Sequence, residues 1–196
     1  MFIMHHIHHT EAFILSSHDY GEAGKYYAIF TRDLGMIYAS AQGVRKMSSK
    51  LRFVLQDYSY VKIDLIRGRD FWRLISASKS SKFEDLTKNT GQFVVYANVL
   101  RLLKRLLTGE EVNKELFADL RGGLEILENS ITKEELDNVE IILVLRILDN
   151  LGYVGGNKVF ESLVKSPFEK ELVFQIAENR TKLLSEINRA LRDTNL

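Results

Sequence analysis

The spacing of the apolar residues changes near residue 82, and this change limits the folds that the chain can adopt. Before that point, short runs of β-branched and aromatic residues lie between turn residues; after it, apolar residues recur with a period near 3.6. The clearest alternation places Val61, Ile63 and Leu65 on one face of a strand. We therefore predict an α+β protein of two domains, with strands in residues 1–82 and helices in residues 83–196.

The first domain contains five strand-like runs with short connectors. Gly21, Gly35 and Gly68 lie in these connectors, as is typical of hairpins. Between the third and fourth runs, SSKLRFVLQ predicts a short helix with Ser48 or Ser49 as its N-cap. Three strands, a helix and a hairpin follow one another in the order of an OB-fold, so we predict a five-stranded OB-fold β-barrel. The runs are TEAFILSS, KYYAIFTR, GMIYASA, DYSYVKIDLI and DFWRLISAS.

The second domain begins with two predicted amphipathic helices, one over residues 96–107 and one over residues 116–127. The second of these contains Gly122 and Gly123. Each glycine should cost about 1 kcal/mol relative to alanine, unless a neighbouring helix packs close to the backbone there. This domain is therefore predicted to be an all-α helical bundle of four or five helices.

Two helix starts are marked in the rest of this domain. Thr132 and Glu135 form a capping box ahead of IILVLRIL, which we predict to be the buried central helix. Arg146 lies alone inside that run and should pair with a carboxylate, because an unpaired buried charge is costly. Ser166 as cap and Pro167 at the first helical position predict the start of the last helix.

The charge of the chain is distributed unevenly, although its formal total is only +1. Residues 1–82 carry a balance of +5, and residues 83–196 carry a balance of −4. Such a division indicates a basic module that meets a polyanion. There is no cysteine, so disulfides and thiolate metal sites are excluded. No run reaches the roughly 18 apolar residues of a membrane span, and no signal peptide is recognisable, so we expect a cytoplasmic protein without membrane contact.

The strongest concentration of positive charge is the segment GVRKMSSKLR, residues 43–52, which we call the basic loop. No acidic residue lies between Asp33 and Asp57, so nothing in the local sequence neutralises the basic loop. Cations that follow phosphates beside exposed rings that stack on bases are typical of OB-type binding of single strands. About half of the rings should belong to the core. The candidates are Arg45, Lys46, Lys50 and Arg52 in the basic loop, Arg32, Arg67 and Arg69 in hairpin turns, and the rings of Tyr38, Tyr58, Tyr60 and Trp72.

Motifs of catalysis are missing from the sequence. It has no nucleophile elbow, P-loop, H-E-x-x-H or dinucleotide fingerprint, so we predict no catalytic residue, no cofactor and no metal. One alternative is a metal-dependent enzyme that uses the histidines of HHIHH, residues 5–9. Another is an adaptor whose barrel binds an acidic protein.

The order of residues from TEAFILSS to LIRG resembles the N-terminal domain of the RecO family of DNA repair and recombination mediators. The shared motifs are D-Y-G-E, T-R-x-x-G, G-x-R-K-x-x-S-K-L and L-Q-D-Y, and NKELFADLRGGLEIL and LRILDNLGYV extend the resemblance into the helical domain. The resemblance implies binding of single- and double-stranded DNA, strand annealing, and help in loading recombinase onto single strands coated by their binding protein.

The resemblance also implies partners and a location. The partners are RecR and the acidic C-terminal tail of single-stranded-DNA-binding protein, and the location is the cytoplasm, in association with the nucleoid. The tail is expected to bind near Arg101, Lys104 and Arg105, beside leucines. The chain departs from many family members in two places: VGGNKVFESLVKS replaces a four-cysteine zinc finger, and the final LRDTNL lacks a basic tail.

Overall fold

The computed structural model describes residues 6–80, 82–154, 160–176 and 179–194. These residues form two compact units. The first contains the described residues up to Glu84 together with Leu107–Asn113, and the second contains Asp85–Leu106 and the described residues from Lys114 onward. We call the first the barrel unit and the second the helical unit.

The barrel unit is built on a closed five-stranded barrel with the strand order β1-β2-β3-β5-β4. All neighbouring strands are antiparallel except β3 and β5, which pair in parallel. This arrangement confirms the predicted OB-fold. The strands are β1 (Ile7–Tyr20), β2 (Gly24–Thr31), β3 (Gly35–Ala41), β4 (Tyr60–Arg67) and β5 (Trp72–Lys79).

β1 closes the barrel because it pairs with two strands in turn. Its first half runs antiparallel to β4, from the pair Ile7–Ile66 to the pair Phe13–Tyr60. Its second half runs antiparallel to β2, and the register shifts between Ile14 and Ser16. A bulge of this kind bends a strand and increases its twist, so a single strand can follow both neighbours.

The barrel interior holds the predicted face of β4: Val61, Ile63 and Leu65 are buried in one apolar cluster. The opposite face of β4 is not uniformly exposed to solvent. Tyr60 is only 4% exposed, and its ring centroid lies 4.7 Å from that of Phe13 and 5.3 Å from that of Phe83. These rings form a second apolar layer outside the barrel wall, which alternation within one strand does not reveal.

The predicted short helix is present as α1 (Leu51–Val54), between β3 and β4. The predicted serine cap is wrong. Lys50 occupies the N-cap position with helical dihedral angles and makes no side-chain capping bond. Ser49 instead lies in a turn, where its backbone N–H donates to the carbonyl of Lys46 at 3.0 Å.

The helical unit is organised around α4, which packs against α2, α3, α5, α6 and α7. The capping box of Thr132 and Glu135 is present at its start, and most of the IILVLRIL run is buried, as predicted. Gly152, with φ of +79°, follows its end. The helices are α2 (Thr90–Leu106), α3 (Lys114–Glu128), α4 (Lys133–Asn150), α5 (Glu161–Lys165), α6 (Lys170–Gln175) and α7 (Arg180–Asp193), with a 3₁₀ turn at Asp85–Thr87.

The predicted helix start at Ser166 is wrong. α5 ends just before this residue, and α6 begins only after Glu169, which is its N-cap. The Ser166 carbonyl accepts a hydrogen bond from Arg146 Nη2 at 2.5 Å, and the Phe168 ring lies 4.7 Å from the Arg146 guanidinium carbon. These tertiary contacts hold residues 166–168 outside the helices. Within the described ranges, no helix is both long and apolar enough to cross a membrane.

Candidate nucleic-acid interface

One outer face of the barrel carries a group of aromatic rings. Tyr26 on β2 lies at its centre, with the Tyr38 ring stacked nearly parallel at a centroid distance of 6.0 Å. The rings of Phe71 and His18 lie 5.8 Å and 5.3 Å from that of Tyr26. Tyr38 is 47% exposed, so a flat ring is open to solvent. We call this group the ring face; its members are His18, Tyr20, Tyr26, Tyr38 and Phe71.

The central tyrosine of the ring face stays neutral. Burial raises the pKa of the Tyr26 hydroxyl above its usual value near 10, and the neighbouring Tyr38 and Tyr20 raise it further. At physiological pH the ring therefore adds no negative charge that would repel a polyanion.

Two exposed arginines border the ring face. Tyr26 on β2 pairs with Ser40 on β3, and Ser40 pairs with Arg73 on β5, so the three residues lie in one row across the sheet. Arg69 precedes Phe71 by two residues in the turn between β4 and β5. Neither arginine has a carboxylate within ion-pair distance among the residues that the structure describes. Both are available to an anionic ligand.

The basic loop is anchored beside the ring face. The Arg45 backbone N–H donates to the Ala23 carbonyl at 2.9 Å, and Arg45 Nη2 lies 3.3 Å from an Asp19 carboxylate oxygen. Asp19 immediately precedes Tyr20 of the ring face. The local sequence offers Arg45 no acidic partner, and its partner Asp19 comes from β1 instead. Both side chains are well exposed, so this pair contributes at most about 1 kcal/mol.

The other cations of the basic loop differ in their surroundings. Lys46 and Lys50 are exposed, and in the described part of the chain no carboxylate lies within ion-pair distance of either. Arg52 contacts two apolar neighbours, with Nη1 3.1 Å from Met47 Sδ and the guanidinium carbon 4.5 Å from the centroid of the Phe53 ring. The basic loop thus presents at least three positive charges that have no carboxylate within ion-pair distance among the described residues.

Two of the predicted hairpin arginines are held by carboxylates. Arg32 lies 3.2 Å from Glu11 and 3.1 Å from Asp33. Arg67 Nη1 lies 2.5 Å from both carboxylate oxygens of Glu110, which belongs to the segment Leu107–Asn113. A polyanion would have to displace these partners, so Arg32 and Arg67 are weaker candidates than Arg69 and Arg73.

Two of the candidate rings are unavailable for stacking. The prediction that the Tyr60 ring is exposed for stacking is wrong, because this ring is buried between Phe13 and Phe83. Trp72 is buried as well, and its Nε1 donates to Glu110 Oε1 at 3.0 Å. Tyr58 is half-buried in the connection before β4, where its φ is +67°. Of the predicted rings, Tyr38 alone belongs to the ring face.

The candidate site for an acidic peptide has charge but little apolar surface. Arg101, Lys104 and Arg105 are exposed on α2, and Arg101 Nη2 donates to Asn98 Oδ1 at 2.6 Å. The adjacent Leu103 and Leu106 are buried in the helical unit. Leu102, between Arg101 and Lys104, is only partly buried and supplies the leucine surface beside these cations on this part of α2.

The N-terminal histidines are engaged by neighbouring side chains. His9 Nδ1 lies 2.6 Å from Asp64 Oδ1, and the His8 ring packs edge-on against Trp72 at 5.0 Å. His5 lies outside the described residues. Within those residues, no group of three or more His, Cys, Asp and Glu side chains is placed to hold a metal ion.

Sequence reasoning missed most of the ring face and Arg73. Tyr20, Tyr26, Phe71 and His18 come from two strands and one connection, so only the barrel brings them together. Arg73 could have been identified from the sequence. It lies between the apolar Trp72 and Leu74, so strand alternation predicts that it points outward from the barrel.

The comparisons with known proteins all indicate the same family of DNA repair proteins. A family model described as "Recombination protein O N terminal" matches residues 4–82. The DNA repair protein RecO of Thermodesulfovibrio yellowstonii is 32% identical over 150 residues, which cover 76% of this chain and 59% of that protein. The corresponding proteins of Heliobacterium modesticaldum and Alkaliphilus metalliredigens are each 30% identical, over 75% and 74% of this chain.

The similarity extends beyond the barrel unit, because the matched regions cover about three quarters of the chain. The chain spans less of its relatives, covering 59%, 52% and 57% of their lengths.

Proposed function

Because this chain belongs to the RecO family, as its sequence motifs predicted, we propose that it is a non-catalytic DNA-binding protein of DNA repair and recombination. The observation that carries this proposal is the ring face bordered by Lys46, Lys50, Arg69 and Arg73, which have no carboxylate within ion-pair distance in the described part of the chain. Stacked rings with cations beside them match the chemistry of single-stranded DNA, which presents flat bases and phosphates in alternation. The barrel itself is a fold that binds oligonucleotides on its outer strands and loops.

In the proposed mode of binding, the DNA backbone passes from the basic loop toward the turn between β4 and β5. Lys46 and Lys50 take phosphates at one end, and Arg69 and Arg73 take phosphates at the other. Between them, Tyr38 and Tyr26 receive bases by stacking, each stacked base contributing roughly 1 to 3 kcal/mol. Affinity for double strands would rest on the same cations, because bases in a duplex are already stacked.

The salt dependence of binding tests this proposal. For single strands, log affinity falls with log salt by about 0.7 per phosphate contact. We expect the double variant Lys46→Ala/Lys50→Ala to reduce the slope by about 1.4, measured by fluorescence anisotropy of a labelled single-stranded oligonucleotide.

A matched control removes the same charge from the helical unit. Lys133 and Lys182 are exposed there, and the variant Lys133→Ala/Lys182→Ala should keep the wild-type slope. An unchanged slope in the basic-loop variant, or an equal loss in both variants, would argue against phosphate contacts in the basic loop.

Family membership also supports finer proposals for this chain. We propose that it anneals complementary strands, helps to load recombinase onto coated single strands, and acts with RecR in the cytoplasm near the nucleoid. We also propose that Arg101, Lys104 and Arg105 attract the acidic tail of single-stranded-DNA-binding protein by charge. Replacing these three residues with alanine should weaken the binding of a synthetic acidic tail peptide without changing the affinity for an oligonucleotide.

A further inference from the structure

The basic loop and α1 expose two large apolar side chains among their cations. Met47 is 82% exposed and Phe53 is 59% exposed. Arg52 lies between them, with Nη1 3.1 Å from Met47 Sδ and its guanidinium carbon 4.5 Å from the centroid of the Phe53 ring. These two apolar groups in solvent lie beside Lys46 and Lys50 and form a mixed surface with them, and the DNA contacts proposed above use only the lysines of that surface.

The packing of α1 does not require Phe53. Leu51 and Val54 of α1 are partly buried against the barrel core, and the following Leu55 is buried within it. These three residues attach the helix to the barrel. Phe53 lies on the outer side of α1. One side of its aromatic ring contacts the Arg52 guanidinium, and a large part of the ring remains exposed to solvent.

The surroundings of Phe53 select the kind of ligand. Lys46 and Lys50 are exposed without a carboxylate within ion-pair distance in the described residues, and Arg52 adds a third charge. A ligand that satisfies this surface combines negative charge with a flat apolar group at short spacing. Nucleotides have this composition, and base–aromatic stacking is strengthened by a neighbouring arginine.

We propose that Met47 and Phe53 form a nucleobase subsite. An unstacked base lies on the open part of the Phe53 ring and against Met47, and Arg52 and Lys50 hold the phosphates on either side of it. The subsite extends the path of the strand beyond the ring face, so it depends on the DNA binding proposed above. It assigns a role to two apolar residues that lie in a charged loop and contribute little to the core.

The test compares a single-stranded oligonucleotide with an abasic oligonucleotide of the same length. Phe53→Ala should weaken binding of the normal oligonucleotide about 5- to 150-fold. It should leave the slope of log affinity against log salt unchanged, because no phosphate contact is lost. Binding of the abasic oligonucleotide should be nearly unaffected, because it has no base to stack. Phe53→Tyr, which keeps the ring, should bind like the wild type.

Controls separate a local subsite from general loss of apolar surface. Ile75 is an exposed apolar residue on β5, and Ile75→Ala should not change the affinity for either oligonucleotide. Thermal unfolding of Phe53→Ala should match that of the wild type, because the side chain is mostly outside the core.

Three results would overturn the subsite. The first is wild-type affinity of Phe53→Ala for the normal oligonucleotide. The second is an equal loss for the normal and abasic oligonucleotides, which would mean that Phe53 only holds the loop. The third is loss of binding to phosphatidylglycerol vesicles with unchanged DNA binding, which would assign the two residues to a membrane surface. If the wild type fails to bind the normal oligonucleotide, both the proposed function and this subsite are wrong.

Discussion

At the scale of single residues, Arg146 shows how a buried charge specifies a bundle. It is 2% exposed, and its Nη1 lies 2.7 Å from an Asp119 carboxylate oxygen. Nε donates to the Leu163 carbonyl at 3.0 Å, and Nη2 donates to the Ser166 carbonyl. The predicted carboxylate partner is therefore confirmed, and the two carbonyls were not foreseen. One side chain on α4 thereby joins α3 to the chain around the end of α5.

Replacing Arg146 should destabilise the helical unit strongly. Arg146→Met keeps much of the side-chain length but leaves Asp119 without its cation and two carbonyls without their donors. Breaking a buried ion pair costs about 3 to 5 kcal/mol, so the free energy of unfolding measured in urea should fall by that amount. Arg105→Met, at an exposed position on α2, should change it by less than about 0.5 kcal/mol. A loss below about 1 kcal/mol for Arg146→Met would contradict this account.

At the scale of elements, the adjacent glycines of α3 have different reasons to be glycine. A Cβ atom on Gly123 would lie 2.3 Å from Leu143 Cδ2 and 2.9 Å from Phe168 Cε2. α4 therefore packs close at Gly123, which is the condition under which the sequence allowed a glycine at no net cost. A Cβ atom on Gly122 would lie 3.6 Å from Phe168 Cβ, which is ordinary van der Waals contact. The crowding is confined to one of the two positions.

Alanine at these two positions should have opposite effects on stability. Gly122→Ala should raise the free energy of unfolding by up to about 1 kcal/mol, because alanine is the better helix former. Gly123→Ala gains the same helix propensity but crowds a buried leucine, and overpacking costs about 1 to 3 kcal/mol. We therefore expect a net loss for Gly123→Ala in urea unfolding. The same sign of change at both positions would contradict the close packing of α3 against α4.

At the scale of the whole molecule, the segment Leu107–Asn113 lies between α2 and α3 in sequence but belongs to the barrel unit. Glu110 accepts hydrogen bonds from Arg67 and from Trp72 Nε1. At the turn between β2 and β3, Gly35 has a φ of +71°, and a Cβ atom there would lie 2.2 Å from the Glu111 carbonyl oxygen. The segment thereby pairs with Arg67, which the sequence suggested as a DNA contact.

Removing the carboxylate of this segment should release Arg67. We expect Glu110→Ala to steepen the slope of log affinity for single-stranded DNA against log salt by about 0.7, the value of one added phosphate contact. Glu111→Ala removes the same charge from an exposed side chain without releasing Arg67, so it should keep the wild-type slope. Equal slopes for the two variants would show that Arg67 does not reach DNA.

The parts of the fold that depend on local pattern can be predicted from the amino-acid sequence. Alternation in β4, the capping box of α4 and glycine-bearing turns are encoded within a few residues, so the OB-fold barrel and the central helix could be predicted. The positive charge of the basic loop was also visible, because charge is a property of composition.

Which of these residues contact one another depends on how distant segments come together in the folded chain. Asp19 reaches Arg45 from another strand, Phe83 covers Tyr60, and Glu110 returns to Arg67 across 43 residues. The ring face likewise combines residues from β1, β2, β3 and the turn before β5. Burial and pairing at these positions depend on contacts between distant segments, and such contacts leave no local periodicity in the chain.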